Sequence, residues 1–450
     1  MNNIAKSIMC VALTAATAGT AVAQNRSAYF LDNYTYNYQL NPALGRDGKF
    51  DISMPVLGNL NVGLSSNFGV KSFIHKLPDG QLVTFLHPEV SADDAMKQFK
   101  NHNRLGFDLR EGILSIGFRG LGGYNHISIN AVANAQVRVP KSLFSFMKEG
   151  ISNRTYDIGR VDLHADAYAE IALNHSHDLG HIVPGLKIGG SFKFLAGIAN
   201  VDVNMDRADL SLGENEWTAT TDGVAQISLG GFGWKLTDDN KIDDVEMDGF
   251  TAPIGYGIAF DLGATYEWND FTFGLAFNDL GFINWNHTNK AGTNGEHTFN
   301  SNDYVLDPAD IDDSFDKMKD DFENLYDLRA EPGEYTRCRA LAATMNASVE
   351  YTLPMYRALS FGLLNTTRMA HRFAWTDFRL SANYTPVKWL GLAVNYGIGT
   401  FGSSFGWMLN IAPKGFNLYV GMDHTLGKLA KQGVPLNANA QLSFGINFPI

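Results

Sequence analysis

Two stretches of the sequence hold residue types that bind metals in other proteins. His175, His177 and His181 lie close together, and a metal site would need their imidazoles to converge on one ion. They fall across a predicted β-turn, which would point the three side chains in different directions. The acidic run from Asp238 to Glu246 has the composition of a calcium loop but lacks the order and the central glycine of an EF-hand. Neither stretch predicts a metal site.

A third stretch, 402–406, matches the G-x-S-x-G pattern of serine hydrolases around Ser404. A nucleophile elbow lies between a strand and a helix, whereas strands are predicted on both sides of Ser404. His126, His164 and His424 could each act as a general base, but no spacing pairs one of them with this serine. The sequence therefore predicts a hairpin turn here. It also predicts a protein that is not an enzyme and has no catalytic residue, cofactor or metal.

The elements that carry these residues are strands. Between Leu390 and Phe448, four segments alternate apolar side chains with small or polar ones, and a period of two is typical of β-structure. The segments approach the roughly 9–11 residues that a tilted strand needs to cross a bilayer. They predict an all-β fold, a transmembrane antiparallel up-and-down β-barrel with apolar side chains toward lipid and polar ones toward the lumen.

The same alternation begins at residue 58 and predicts a barrel over 58–450 with 14 to 16 strands. The count is 14 if 200–230 forms a hairpin beyond the bilayer. Long connections at 71–104, 140–159, 231–253 and 286–339 all fall at the same end, which we therefore expect to be extracellular. A few short loop helices are predicted, one capped by Ser91 and one after Pro140.

One strand, 160–175, places several acids and a histidine on the face opposite its apolar residues. Acids on a strand face are tolerated where that face is wet, so the lumenal polar face is predicted to include Asp162, His164, Asp166 and Glu170.

Residues 1–23 have the features of a secretory signal peptide: a basic start, an apolar stretch from Ile8 to Ala16, and Ala21-Val22-Ala23 before the cleavage site. The predicted location is the outer membrane, with cleavage after Ala23. The following segment, 24–57, lacks alternation. It is either a periplasmic leader or a plug folded back into the lumen, with Asn41, Pro42 and Ala43 as plug candidates.

The acidic connection 303–334 carries an apolar stripe at helical spacing, formed by Ile311, Phe315, Met318, Phe322 and Leu325. Two interpretations stay open: a helix that caps the barrel mouth, and a lid or docking surface for another protein. The net charge of −12 and the lack of a basic stripe argue against nucleic acid as a partner.

Four stretches together resemble an uncharacterised outer-membrane family of the Bacteroidota, a domain of unknown function. They are Leu40-Asn41-Pro42-Ala43, 55–63, Phe401 to Trp407 and Pro413 to Asn417. The layout is more distantly similar to the FadL-type long-chain fatty acid transporters and to the PorV-type barrels of type IX secretion. The FadL likeness implies a 14-stranded barrel whose N-terminal segment plugs the lumen and which admits hydrophobic solutes.

The function expected from these features is passage or uptake of a small solute, with a hydrophobic solute as one option. The alternative is a structural or docking platform for a secretion or surface-assembly complex, acting through 71–104 and 286–339. The partners expected are outer-membrane lipid, a hydrophobic small molecule, and a protein of such a complex.

Overall fold

The alternating segments form a closed antiparallel β-barrel of fourteen strands. The computed structural model describes residues 25–46, 48–150, 154–213, 216–238, 241–300, 328–333, 335–425 and 439–450. In chain order the barrel strands β1 to β14 are Asn59–Ser66, His102–Gly120, Gly123–Pro140, Val161–Asp178, Leu186–Leu212, Gly255–Trp268, Phe271–Asn300, Ala343–Thr352, Leu359–Met369, Trp375–Val387, Leu390–Gly399, Gly402–Ile411, Asn417–Met422 and Ala440–Pro449.

The first and last strands close the cylinder, since β1 pairs antiparallel with both β2 and β14. A short strand, Phe50–Ser53, continues β1 along the same two neighbours. It lies in the segment where no strand was predicted, because four residues are too few for the alternation to be recognised. In the same way Tyr335–Ala340 extends β8 along β7.

The two faces of the wall have the predicted chemistry. On β11, Val394 and Tyr396 are exposed on the outside, whereas Ala393 and Asn395 are buried inside. The last strand repeats this pattern, with Leu442 exposed between the buried Gln441 and Ser443. The prediction of an all-β barrel with an apolar exterior and a polar interior is confirmed in both strands.

The strand count is the lower one predicted, because the strand Glu216–Leu236 does not cross the wall. Its first part is inserted between β5 and β7 beyond the end of β6, and its last part pairs with the strand Ile242–Thr251. β5 runs unbroken from Leu186 to Leu212, so the first half of the predicted hairpin 200–230 continues this barrel strand. Among its polar side chains, Asp202 has a partner inside the barrel, His164.

The longest connections between barrel strands all lie at one end of the barrel. At the end that holds the C-terminal Ile450, which we term the turn end, they are 121–122, 179–185, 269–270, 353–358, 388–389 and 412–416. The opposite end, the loop end, carries 67–101, 141–160, 213–254, 301–342, 370–374, 400–401 and 423–439.

The loop end also holds the helices. Val70–Phe73, Ala92–Met96 and Lys141–Glu149 are α-helical, and His371–Phe373 is a 3-10 turn. The two predicted loop helices are thereby confirmed, with the Asp94 N–H donating to Ser91 Oγ at 3.1 Å. Other short elements are the strands Ile74–Lys76, Leu82–Thr84, Arg154–Asp157 and Arg329–Ala330 and the 3-10 turns Arg26–Ala28 and Asn37–Gln39.

Among the helices in the described part of the chain, none is long and apolar enough to span a bilayer.

Candidate functional site

The interior of the barrel is filled by the N-terminal residues 25–45, which we term the lumen segment. Most of its side chains are buried, including Asn25, Leu31 and Asn41. Its backbone–backbone hydrogen bonds in the described structure are internal, such as Leu40 N–H to Asn37 O at 2.9 Å. The segment is therefore held to the wall by side chains and not by sheet pairing.

Its N-terminal part is fixed near the loop end by one carboxylate. Asp423 accepts four hydrogen bonds, from the backbone N–H and Nε of Arg26 at 3.0 and 2.9 Å and from the N–H and Oγ of Ser27 at 2.7 and 2.6 Å. Arg26 Nη1 also donates to Asp377 Oδ2 at 3.1 Å. Arg379 of the barrel wall donates to the same oxygen of Asp377 at 2.6 Å. We refer to Arg26, Ser27, Asp377 and Asp423 as the latch.

The middle of the lumen segment is aromatic. The rings of Tyr34 and Tyr36 lie edge-on to Tyr419 of β13, with centroids 4.9 and 5.9 Å apart. Tyr38 stacks on His126 of β3 at 4.1 Å. The middle of the lumen segment is therefore packed against the barrel wall through ring contacts.

The predicted plug residues lie near the turn end of the lumen. Asn41 donates to the carbonyl of Ala264 at 3.2 Å, and its own Oδ1 accepts the Ala43 N–H at 3.0 Å. A Cβ atom at Gly189 of β5 would collide with the Pro42 carbonyl, so this wall position requires glycine. Asn41, Pro42 and Ala43 are thus packed directly against the barrel wall.

A row of polar contacts follows the inner face of β4 from its loop end toward its middle. Its members are the predicted residues: Asp162 accepts from Arg138 at 2.7 Å and from Arg372 at 2.8 Å, and His164 Nδ1 contacts Asp202 at 2.8 Å. Further in, Asp166 accepts from Asn134 at 2.9 Å and Glu170 from Arg110 at 2.7 Å. The structure places all four predicted side chains on the inner face.

Two arginines, Arg368 and Arg372, form ion pairs that bridge the lumen. Arg368, at the end of β9, donates to Asp108 of β2 at 2.6 Å. These strands are seven apart in a barrel of fourteen, so they lie on opposite sides. Arg372, in the connection after β9, reaches Asp162 of β4 and also Asp206. The hydrogen bond with Asp206, reinforced by Asp162, raises the pKa of Arg372 above its usual value and keeps the guanidinium charged.

Two chambers lie on either side of the Arg368–Asp108 pair. The loop-end chamber has a volume of about 290 Å³ and is lined by residues including Gln136, His164, Arg339 and Arg372. The central chamber is narrower, about 50 Å³, and is lined by residues including Arg26, Asp108, Arg110, Asn134, Asp166, Asp279, Arg368 and Trp375. Leu341 and Ala342 line both chambers, so the two are adjacent along the lumen.

Where the structure describes them, other residues that the sequence singled out have partners on the barrel wall. Ser404 is buried in the lumen, where its Oγ accepts from Arg379 at 3.3 Å, and Arg379 also contacts His424 Nε2 at 3.4 Å. His175 Nδ1 lies 2.9 Å from Asn125 Oδ1. Within the described ranges, no three His, Cys, Asp or Glu side chains are placed to hold a metal ion. The stripe from Ile311 to Leu325 lies outside the described residues.

Sequence reasoning missed the arginines. Arg26, Arg368 and Arg372 each sit in a stretch without a regular pattern, in the leader or at a strand end. Their partners are 397, 260 and 210 residues away, so no local spacing points to them.

The fold and interior define the class as a closed 14-stranded barrel with a filled polar lumen. The chain belongs to a family of unknown function, DUF5723, whose model matches residues 42–423. No curated protein matches the sequence.

Several solved structures resemble the chain at low identity. The toluene transporter TodX of P. putida shares 10% identity at a TM-score of 0.40, over 92% of this chain and 94% of TodX. A FadL homologue of Pseudomonas aeruginosa shares 9% identity at a TM-score of 0.41, and the match covers 96% of this chain and 98% of the homologue. The translocator domain of the autotransporter NalP from Neisseria meningitidis shares 6% identity at a TM-score of 0.33, and the match covers 90% of this chain and 89% of that domain. At this level the likeness carries no information on function.

Proposed function

We propose that this protein is an integral outer-membrane barrel that passes a small solute, with the lumen segment as its plug. The observation that carries the proposal is a closed barrel with exposed apolar side chains outside and a buried polar lumen inside. Exposed apolar patches of this extent are unstable in water, whereas lipid covers them without cost.

Aromatic side chains at the turn end support membrane insertion. Trp268, Trp389 and Tyr266 are exposed on the outside near the turns, each with more than a third of its surface accessible. Girdles of aromatic residues mark the level where a barrel meets the lipid headgroups. The proposed location therefore remains the outer membrane, reached through a signal peptide that ends at Ala23.

The way in which the lumen segment is held supports a plug that can move. Sheet pairing would make it part of the wall, but it is attached by individual side-chain contacts such as Asn346 Nδ2 to the Leu40 carbonyl at 2.8 Å. Each neutral hydrogen bond of this kind stabilises the position of the segment by only about 0.5–1.5 kcal/mol. The segment can therefore shift part by part while the strands stay paired, opening a path for a solute.

Deleting residues 24–42 tests the passage. We expect faster swelling of proteoliposomes in small solutes than with the intact protein, because the deletion empties the lumen. The matched variant is Gly362→Leu, whose side chain would occupy the space of the Phe30 ring and displace the segment without shortening the chain. Swelling rates that stay at the intact level in both variants would contradict the proposal.

A docking function is the second candidate. The strand Ile242–Thr251 projects from the loop end and exposes Met247 and Phe250, with 53% and 63% of their surfaces accessible. Such apolar side chains far from the lipid-facing wall favour contact with another protein. Deletion of 303–334, together with Phe250→Ser, should then abolish co-purification of a partner, and unchanged pull-downs would count against this function.

A further inference from the structure

The ion pair between Arg368 and Asp108 separates the two chambers. On β3, Asn134 lines the central chamber and Gln136, one step toward the loop end, lines the loop-end chamber. Arg368 Nη2 donates to Asn134 at 3.3 Å, so the guanidinium lies at the level of Asn134, where the central chamber approaches the loop-end chamber. A solute that moves along β3 from one chamber to the other passes this guanidinium.

The lining of the central chamber is charged and balanced. Arg26, Arg110 and Arg368 face it together with Asp108, Asp166 and Asp279. An apolar solute would separate these groups from their partners and offer none in return, which is unfavourable for buried charges. A simple ion would gain one partner and meet repulsion from the groups of its own sign. A solute with both charges can pair at both ends.

Two arginine nitrogens are free to take a new partner. Within the described structure, Arg26 Nη2 and Arg368 Nε are buried and make no hydrogen bond, although both side chains line the central chamber. Guanidinium groups bind carboxylates through paired N–H donors. A carboxylate that displaced the groups covering these two nitrogens would find donors that the described structure leaves without a hydrogen bond.

We propose that this barrel is selective for small zwitterionic solutes and that Arg368 is its specificity-determining residue. The solute carboxylate takes the place of Asp108 at the Arg368 guanidinium, while the solute ammonium group pairs with the carboxylates of Asp108 and Asp166. The exchange of partners lets the solute cross the level of the ion pair without leaving a charge unpaired. This inference rests on the proposed passage and names the solute class.

The test compares glycine with its uncharged isomer glycolamide in proteoliposome swelling, with protein-free liposomes as the blank. We expect glycine to enter about tenfold faster, as expected for one charge-assisted contact. Arg368→Gln should remove this preference and leave the glycolamide rate unchanged or higher. The exchanged double variant Arg368→Asp with Asp108→Arg should restore it. Arg357→Gln, at an exposed pair of the turn end, is the control and should behave like the intact protein.

The measurements are made with the intact lumen segment and again with Gly362→Leu, and heat-modifiable migration on gels shows that each variant is folded. Equal entry of glycine and glycolamide overturns the selectivity but leaves passage standing. If Arg368→Gln keeps the preference for glycine, the ion pair has only a structural role, and Arg368 is not the specificity-determining residue. If neither solute enters any variant, the proposed passage fails, and the selectivity with it.

Discussion

At the scale of single residues, the latch concentrates the attachment of the lumen segment on one carboxylate. Asp423 is fully buried and accepts all four donors of Arg26 and Ser27 described above. An aspartate at this place can satisfy a guanidinium and two N–H groups at once, whereas an amide would turn one of its atoms into a donor. Substitution of Asp423 should therefore cost more stability than substitution of an acidic residue at the surface.

We expect Asp423→Asn to weaken the latch by up to about 3–5 kcal/mol, because it removes one of the two buried carboxylates that pair with the Arg26 guanidinium. The strands remain paired, so single-channel recordings should show more frequent openings while the gel migration of the folded barrel is kept. Asp270→Asn is the matched control, since Asp270 pairs with the exposed Arg357 at the turn end and should cost at most about 1 kcal/mol. Equal opening frequencies in the two variants would show that the latch does not hold the segment.

At the scale of elements, the loop-end helices form a small core of their own. The ring of Phe99 stacks on Phe144 of the helix Lys141–Glu149 with centroids 4.0 Å apart, and Phe73 and Phe85 pack edge-on around them. This cluster joins the connection 67–101 to the helix after β3. The connection is therefore ordered mainly by packing among the loops, with Val139 of β3 at the edge of the cluster.

Phe144→Ala should release this connection without opening the barrel. Loss of a buried phenylalanine costs about 3–5 kcal/mol, which exceeds what the short helices contribute alone. Limited trypsin digestion should then cut near Lys71 and Lys76 while the strands stay protected. Met147→Ala, on the exposed side of the same helix, should leave the digestion pattern unchanged. Cleavage that is no faster in Phe144→Ala would mean that other contacts hold the connection.

At the scale of the whole molecule, the exterior distinguishes a membrane barrel from a soluble one. Leu380 on β10 exposes 63% of its surface on the outer wall, and Leu82 in the loop-end hairpin exposes 72%. In water the two leucines would be equivalent surface residues. In a bilayer only Leu380 contacts hydrocarbon.

Leu380→Arg should therefore destabilise the vesicle-inserted protein by about 2–4 kcal/mol, as found for a charge facing the middle of the membrane. Leu82→Arg should change the free energy of unfolding by less than about 0.5 kcal/mol, as is usual at an exposed surface site. Denaturant unfolding from lipid vesicles measures both. Similar small effects in the two variants would indicate that the wall does not face lipid.

The sequence by itself determined the wall. Alternation is a local property that follows from the geometry of a strand, so the closing strands, a count of 14 to 16 strands and the helices after Ser91 and Pro140 could be predicted from neighbouring residues. The polar face of β4 was predicted in the same way. The short strand Phe50–Ser53 was missed because it offers too few residues for a pattern.

Only the tertiary structure decided what fills the barrel. The route of residues 25–45, the latch of Arg26 with Asp423 and the bridge of Arg368 to Asp108 join residues that are hundreds of positions apart and that each look ordinary in their local context. Closure of the cylinder brings opposite strands within reach of one arginine side chain. Because that distance is set by the strand number and not by any short stretch, no local pattern could have revealed these contacts.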